Sequence, residues 1–292
     1  MHDIVVKIIE GGSPFLETLN RLKKHKLAVT GGVIIAILCL AALFAPWIAP
    51  HDPNKQYLAD RLLSPGNGYL LGTDNLGRCL FSRLLYGTRV TLQVGLVVVG
   101  ITSSLGVALG ALAGYRGGLV DEIIMRIVDV LLAFPGIILA LVIAGIMGPS
   151  LFSVMFAISI IGWTSYARVV RGAVLSVKER EFVEAARSLG AGDSRIMFRH
   201  ILPNVIAPVL VMATLGMAHV LLAAAALSFL GLGMQPPHAE WGSMLNAGRP
   251  FMRTAPHLTI FPGLAIMSAV LAFNFLGDGL RDALDPWLKE KG

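Results

Sequence analysis

Three groups of residues in this 292-residue chain have types and spacings that suit chemistry. The first is Glu184-Ala185-Ala186, with Gly190 after three further residues and Leu202-Pro203 twelve positions beyond. One carboxylate beside two alanines offers a charge on a surface low enough for another molecule to come close. That is chemistry of recognition rather than of bond making. The second is Asp129, inside a long apolar run. A carboxylate in hydrocarbon is costly, so a functional role on a transport path is its default reading. Arg126, three residues earlier on the same helical face, is the nearest partner and favours an ion pair that anchors the helix. The third is His219, alone in another apolar run. A lone imidazole there bonds to a neighbouring helix more readily than to a ligand. Met197, Met212, Met217 and Met234 around it read as packing rather than as soft-metal ligands.

Catalytic and nucleotide motifs are missing. No Gly is followed directly by Lys, so no G-x-x-x-x-G-K-[ST] phosphate loop exists. G-x-S-x-G, H-E-x-x-H and C-x-x-C are absent, and the seven histidines show no metal-ligand spacing. The residues therefore indicate no catalytic site, no metal and no cofactor held by this chain. Cys39 and Cys79 are too few for a disulfide framework and read as bystanders.

The elements that must position these residues follow from hydropathy. Hydrophobic residues make up 55 % of the chain and charged residues 14 %, against about 25 % charged in a soluble domain. Mean hydropathy is +0.72. Several charge-poor runs exceed the roughly 20 residues needed to cross a bilayer. They predict an all-α membrane protein with six transmembrane helices at 28–49, 90–114, 124–147, 151–170, 203–231 and 257–277, the turn Gly148-Pro149-Ser150 dividing the longest run. The first run is too long for a cleavable signal and reads as an uncleaved anchor. Residues 1–27 and 281–292 flank the spans, 50–89 forms a long external loop and 90–280 a five-helix core with external loop 233–256. Basic residues divide 17 to 7 between the two sides, which predicts cytoplasmic N and C termini. The net charge of +6 is thus a topology signal, and nucleic acid is not a partner.

Seven of the basic residues crowd the segment 171–203 and its approach, between the fourth and fifth spans. Phe182, Ala185, Ala186 and Leu189 share a helical face there, ringed by charge; Gly190 and Gly192 interrupt the helix, and Asp193 suits the N-cap of a second short one. Spacing alone leaves two readings open: a helix resting on lipid headgroups, or a helix that docks a partner. Pro135 and Pro262 predict kinks in the third and sixth spans. Gly106, Gly110 and Gly114 predict close helix approach, and the large outer loops suit docking of a soluble partner.

These residues carry a resemblance. Glu184-Ala185-Ala186, Gly190 and Leu202-Pro203 resemble the signature loop of bacterial ABC-importer permeases, although His200 stands where Ile is usual. Leu71-Gly72-Thr73-Asp74-Asn75-Leu76-Gly77-Arg78 with Ser82-Arg83-Leu84-Leu85-Tyr86-Gly87 is similar to the hallmark of the dipeptide/oligopeptide/nickel subfamily, with Cys79 in place of its usual Asp. Arg126 to Asp129 with Phe134-Pro135, Leu227 to Gly233, Glu240-Trp241-Gly242, Phe273-Asn274 and Gly277-Asp278 to Asp285-Pro286 extend the likeness over most of residues 20–288. The resemblance implies a type I ABC-importer permease fold in the cell inner membrane. It makes Glu184, Ala185, Ala186, Gly190, Leu202 and Pro203 the loop coupled to an ATPase. It implies a second permease chain, two ATP-binding subunits that hold ATP and Mg, and an extracytoplasmic solute-binding protein, with membrane lipid around them. Short peptides are the expected solute and nickel or a metal chelate the alternative. An intramembrane enzyme and a passive channel are the readings from other classes.

Overall fold

A computed structural model describes residues 20–66 and 68–284 of the chain. Lys7, Lys289, Lys291 and the Asp285-Pro286 end of the family likeness lie outside the described residues. The fold among the described residues is helical, with α1 at Lys26–Ile48, α2 at Leu80–Arg116, α3 at Gly118–Leu132, α4 at Gly136–Met147 and α5 at Leu151–Lys178. Then follow α6 at Glu181–Ser188, α7 at Asp193–Ile196, α8 at Leu202–Phe229, α9 at Trp241–Gly248 and α10 at His257–Leu284. Five helical stretches are long and apolar enough to cross a membrane, the fourth of them running from Asp193 to Phe229; the pair α3 and α4 makes a sixth if counted as one bent span.

That pair corrects one expectation. The run 124–147 forms two helices meeting at 87°, not one kinked span. Pro135 has no N–H to give the helix, and its ring drives Phe134 out of the helical region. Pro135 itself is extended, with ψ 117°, and caps α4. Pro262, by contrast, sits five residues into α10, which continues through it unbroken. Two other spans outrun their apolar cores. Helix α2 begins at Leu80 rather than 90, and α5 reaches Lys178 rather than 170. At 1.5 Å per residue the 37 residues of α2 measure roughly 55 Å, well beyond the ~30 Å of hydrocarbon.

Glycines set the helix spacing. A Cβ on Gly114 would lie 2.9 Å from the Arg171 carbonyl oxygen and 3.0 Å from Val174 Cβ. One on Gly110 would lie 3.0 Å from both Ala167 Cα and Val170 Cβ, and one on Gly106 2.8 Å from the Trp163 carbonyl oxygen. The small-residue ladder of α2 thus packs within this chain, against α5. Helix α1 meets α10 in the same way: a Cβ on Gly31 would stand 2.5 Å from the Ala272 carbonyl oxygen. The main core collects Val94, Val98, Val154, Leu221, Leu227 and Trp241, all but fully buried.

At the α9 end the two long loops form one packed cap rather than free linkers. Asp74 accepts from the Leu76 and Arg78 backbone N–H groups at 2.9 Å and from Arg78 Nε at 2.7 Å. Arg83 Nε lies 3.5 Å from the same carboxylate. Its Nη1 donates to the carbonyls of Pro53 at 3.0 Å and Pro237 at 3.1 Å, one in each loop. Trp241 Nε1 donates to the Leu84 carbonyl at 3.1 Å. The subfamily-like stretch from Gly72 to Arg83 therefore builds the clasp between the loops.

Candidate functional site

The opposite end carries α6. Its sequence has one deeply apolar position on the inner face, Val183, which is buried with Val174 and Val177 from α5, Ile196 from α7, Ile201 just before α8 and Val205 from α8. That plug orients the short helix. Glu184 and Ala185 then face outward and Ala186 is half-buried. Phe182 and Leu189 do not join the inner face; they are 42 % and 89 % exposed, and Phe198 is 72 % exposed. Arg180, Arg187, Arg195 and Arg199 are exposed on the same segment.

Gly190 ends α6 in the left-handed region at φ 82°. Ala191 N–H donates to the Ala186 carbonyl at 3.0 Å and Gly190 N–H to the Arg187 carbonyl at 2.9 Å, the Schellman closure that favours glycine. The cap of the next helix differs from expectation. Gly192 is the N-cap of α7, and the Asp193 side chain makes no capping bond there. Asp193 instead accepts from Tyr115 Oη at 2.6 Å. Nor is α7 a separate short helix. It passes through a π-turn at Met197–Ile201 into α8. Pro203 explains the turn, because its missing N–H and its ring disrupt the i→i−4 ladder. Leu202 is half-buried and Pro203 exposed at this junction; Asn204 Nδ2 donates to the His200 carbonyl at 2.7 Å.

Behind α6, polar bonds hold the end of α5. Arg171 grips Asp121 of α3 with both ends of its fork, at 2.5 and 2.6 Å. Arg168 Nη2 lies 2.7 Å from Asp129 Oδ1, and Lys178 Nζ donates to the Gly114 carbonyl at 3.0 Å. Asp129 thus pairs with Arg168 on α5 and not with Arg126, which approaches Glu122 at 4.0 Å instead. An i,i+3 pair would have stayed within α3; the observed one reaches another helix. His219 is exposed on α8, with no hydrogen bond to it among the described residues, so the expected bond to a neighbouring helix is absent there and the residue stands apart from the α6 surface. Val183, Tyr115 and the Arg171–Asp121 pair went unnoticed in the sequence. Two acids eight residues apart on α3, facing two arginines three apart on α5, were the available signal for the pairs.

Comparison with known proteins gives three results. Residues 106–290 match the model of the binding-protein-dependent transport system inner membrane component, and residues 13–65 match the N-terminal transmembrane domain of oligopeptide transport permease C. The chain is 47 % identical over 277 residues to the dipeptide transport system permease protein DppC of Alkalihalophilus pseudofirmus, covering 95 % of this chain and 91 % of that one. It is 47 % identical over 278 residues to the glutathione transport system permease protein GsiD of Pectobacterium atrosepticum, covering 95 % and 92 %. Among solved structures, an inward-facing MetNI methionine ABC transporter chain superposes with a TM-score of 0.57 at 19 % identity, over 70 % of this chain and 98 % of that one.

Proposed function

The chain belongs to the family of inner-membrane components of binding-protein-dependent transport systems, and from that premise we propose that it forms half of the translocation path for short peptides, driven by partner ATPases. The family consists of ABC-importer permease subunits without a catalytic site of their own, and the fold is the type I permease fold. The protein is a multi-pass protein of the inner membrane, and its family implies ATPase and solute-binding partners.

The finer reading rests chiefly on α6. A short helix plugged by Val183 presents Glu184, Ala185 and exposed arginines outward, and its chain runs directly into two spans. A surface of that kind suits docking into a cleft of an ATP-binding subunit, with ATP and Mg held there. The basic excess supports a cytoplasmic side for α6 and both termini, with the clasped loops outside, toward a solute-binding protein. The expected assembly has one further permease chain and two ATP-binding subunits. Peptides are the proposed solute because the relatives are named for dipeptide and glutathione transport.

In the assembled transporter, Glu184→Lys and Ala186→Trp should each abolish uptake and release the ATP-binding subunits during purification while the chain still inserts. Retained uptake in both variants overturns the docking role. Competition of labelled dipeptide uptake by unlabelled peptide, but not by nickel, is the expected solute result; the reverse makes nickel the cargo.

A further inference from the structure

The segment 181–201 is held to the rest of the chain in two ways. The first is apolar: Val183, Ile196 and Ile201 are buried among Val174, Val177 and Val205. Such contacts have no preferred direction, so they let the segment slide or tilt. The second is one directed bond. Tyr115 Oη donates to Asp193 Oδ1 at 2.6 Å, the length of a charge-assisted bond from a hydroxyl to a carboxylate. Among the described residues it is the one hydrogen bond that reaches this segment from beyond its chain neighbours α5 and α8.

Tyr115 makes that bond from a fixed base. It is the next-to-last residue of α2, and its ring is half-buried against the same apolar cluster that seats Val183. The residue before it, Gly114, packs on Val174 and gives its carbonyl to Lys178 Nζ. The hydroxyl neighbours two exposed residues of opposite charge: Asp193, the first residue of α7, and Arg187, in the last turn of α6. These two stand on either side of the bend at Gly190 and Gly192. One phenol thus spans the joint between α6 and α7.

We infer that Tyr115 is a latch: its bond to Asp193 holds the joint between α6 and α7 in the position seen here, and ATP-driven motion of α6 must break it. The inference rests on the coupling reading above and adds a positioning residue to it. Helices α2 and α5 form one body, so when α6 moves, Asp193 leaves a hydroxyl that stays behind. An interaction made in one state and lost in the other shifts the balance between them by its own strength. One hydrogen bond of ordinary net strength is worth about three- to tenfold. The latch therefore keeps α6 at rest until a loaded solute-binding protein engages, and it limits ATP hydrolysis without transport.

Tyr115→Phe tests this, because it keeps the ring in its apolar seat and removes only the hydroxyl. Asp193 is exposed, so water solvates its freed carboxylate and Tm should stay unchanged. In the assembled transporter in vesicles, Tyr115→Phe should raise ATP hydrolysis without binding protein about three- to tenfold and lower dipeptide uptake per ATP. Asp193→Ala should match it, and the double variant should be no worse than either single one. Asp193→Asn keeps an acceptor without the charge and should recover most of the native behaviour. Native hydrolysis and uptake in Tyr115→Phe overturn the inference. So does Asp193→Asn behaving like Asp193→Ala, which makes Asp193 a charge read by the ATP-binding subunit. A lowered Tm with unchanged uptake per ATP also overturns it, since the bond is then merely structural. Glu184→Lys in the same vesicles reports the coupling reading separately. Intact uptake there overturns that reading and the latch with it; abolished uptake beside a silent Tyr115→Phe leaves docking standing and the latch refuted.

Discussion

Gly110→Ala adds a single methyl group at the crossing of α2 and α5. The added carbon would lie 3.0 Å from Ala167 Cα and Val170 Cβ, and closer still to the Ala167 carbonyl oxygen. Backbone atoms cannot rotate away, so α5 must move by roughly 0.5–1 Å, and overpacking of this kind costs about 1–3 kcal/mol. Replacing glycine by alanine within a helix returns about 0.5–1 kcal/mol. The net is a destabilisation of about 1–2 kcal/mol, or about 2–8 °C in Tm for a chain of this size. Gly172→Ala on α5 is the control, because a Cβ there meets nothing within 4 Å; only the helix gain remains, and Tm should hold or rise. Tm is read from the purified complex by the unfolding-dependent reactivity of its buried thiol at Cys79. Uptake should fall in Gly110→Ala more than in Gly172→Ala, since α5 leads into α6. Equal Tm values for the two variants would refute the argument that glycine-limited approach sets the α2–α5 distance.

Asp74→Asn leaves Arg78 and Arg83, both almost wholly buried, without a counter-charge. Breaking a buried pair costs about 3–5 kcal/mol, so limited proteolysis should cut the loop near Pro53 in this variant and not in the native chain; equal resistance counts against the clasp. Glu240, buried at the start of α9, accepts from the Gly242 and Ser243 N–H groups at 2.8 Å. Burial raises its carboxyl above the ordinary value despite those bonds. With a raised folded value, its contribution is fully present below the unfolded pKa near 4.5 and is lost as pH rises through the folded value. The Tm difference between Glu240→Gln and the native chain should therefore shift in favour of Gln as pH climbs from about 4; a constant difference contradicts the burial effect.

Much of the fold was legible because hydropathy runs report bilayer crossing directly. The charge-free stretches at 28–49 and 257–277 became α1 and α10 with ends moved by a few residues. The third run misled because apolar composition cannot distinguish a straight span from two helices at 87°; Pro135 marked the place but not the size of the bend. Asp129 was legible as an ion pair yet assigned to the wrong arginine, since sequence spacing sees only partners on the same helix, and Arg168 lies 39 residues away. The α6 segment was readable as a helix ended by Gly190. Its inner face was not, because Val183 is smaller than Phe182 and Leu189, and the choice between them depends on the valines of α5 and on Ile196 and Ile201 of α7 and the π-turn.

The two helices joined by α6 are held very differently, which gives the proposed coupling a direction. Helix α5 is fixed along its length by the α2 glycines, by the Arg168 and Arg171 ion pairs to α3 and by Lys178 on the Gly114 carbonyl. Helix α8 enters through a π-turn, a proline without an N–H and a largely exposed Phe198. A force applied at Glu184 meets both, and the element with fewer restraints yields. On the coupling reading, ATP-driven motion of α6 therefore swings the lower end of α8 against a stationary α2–α5 pair.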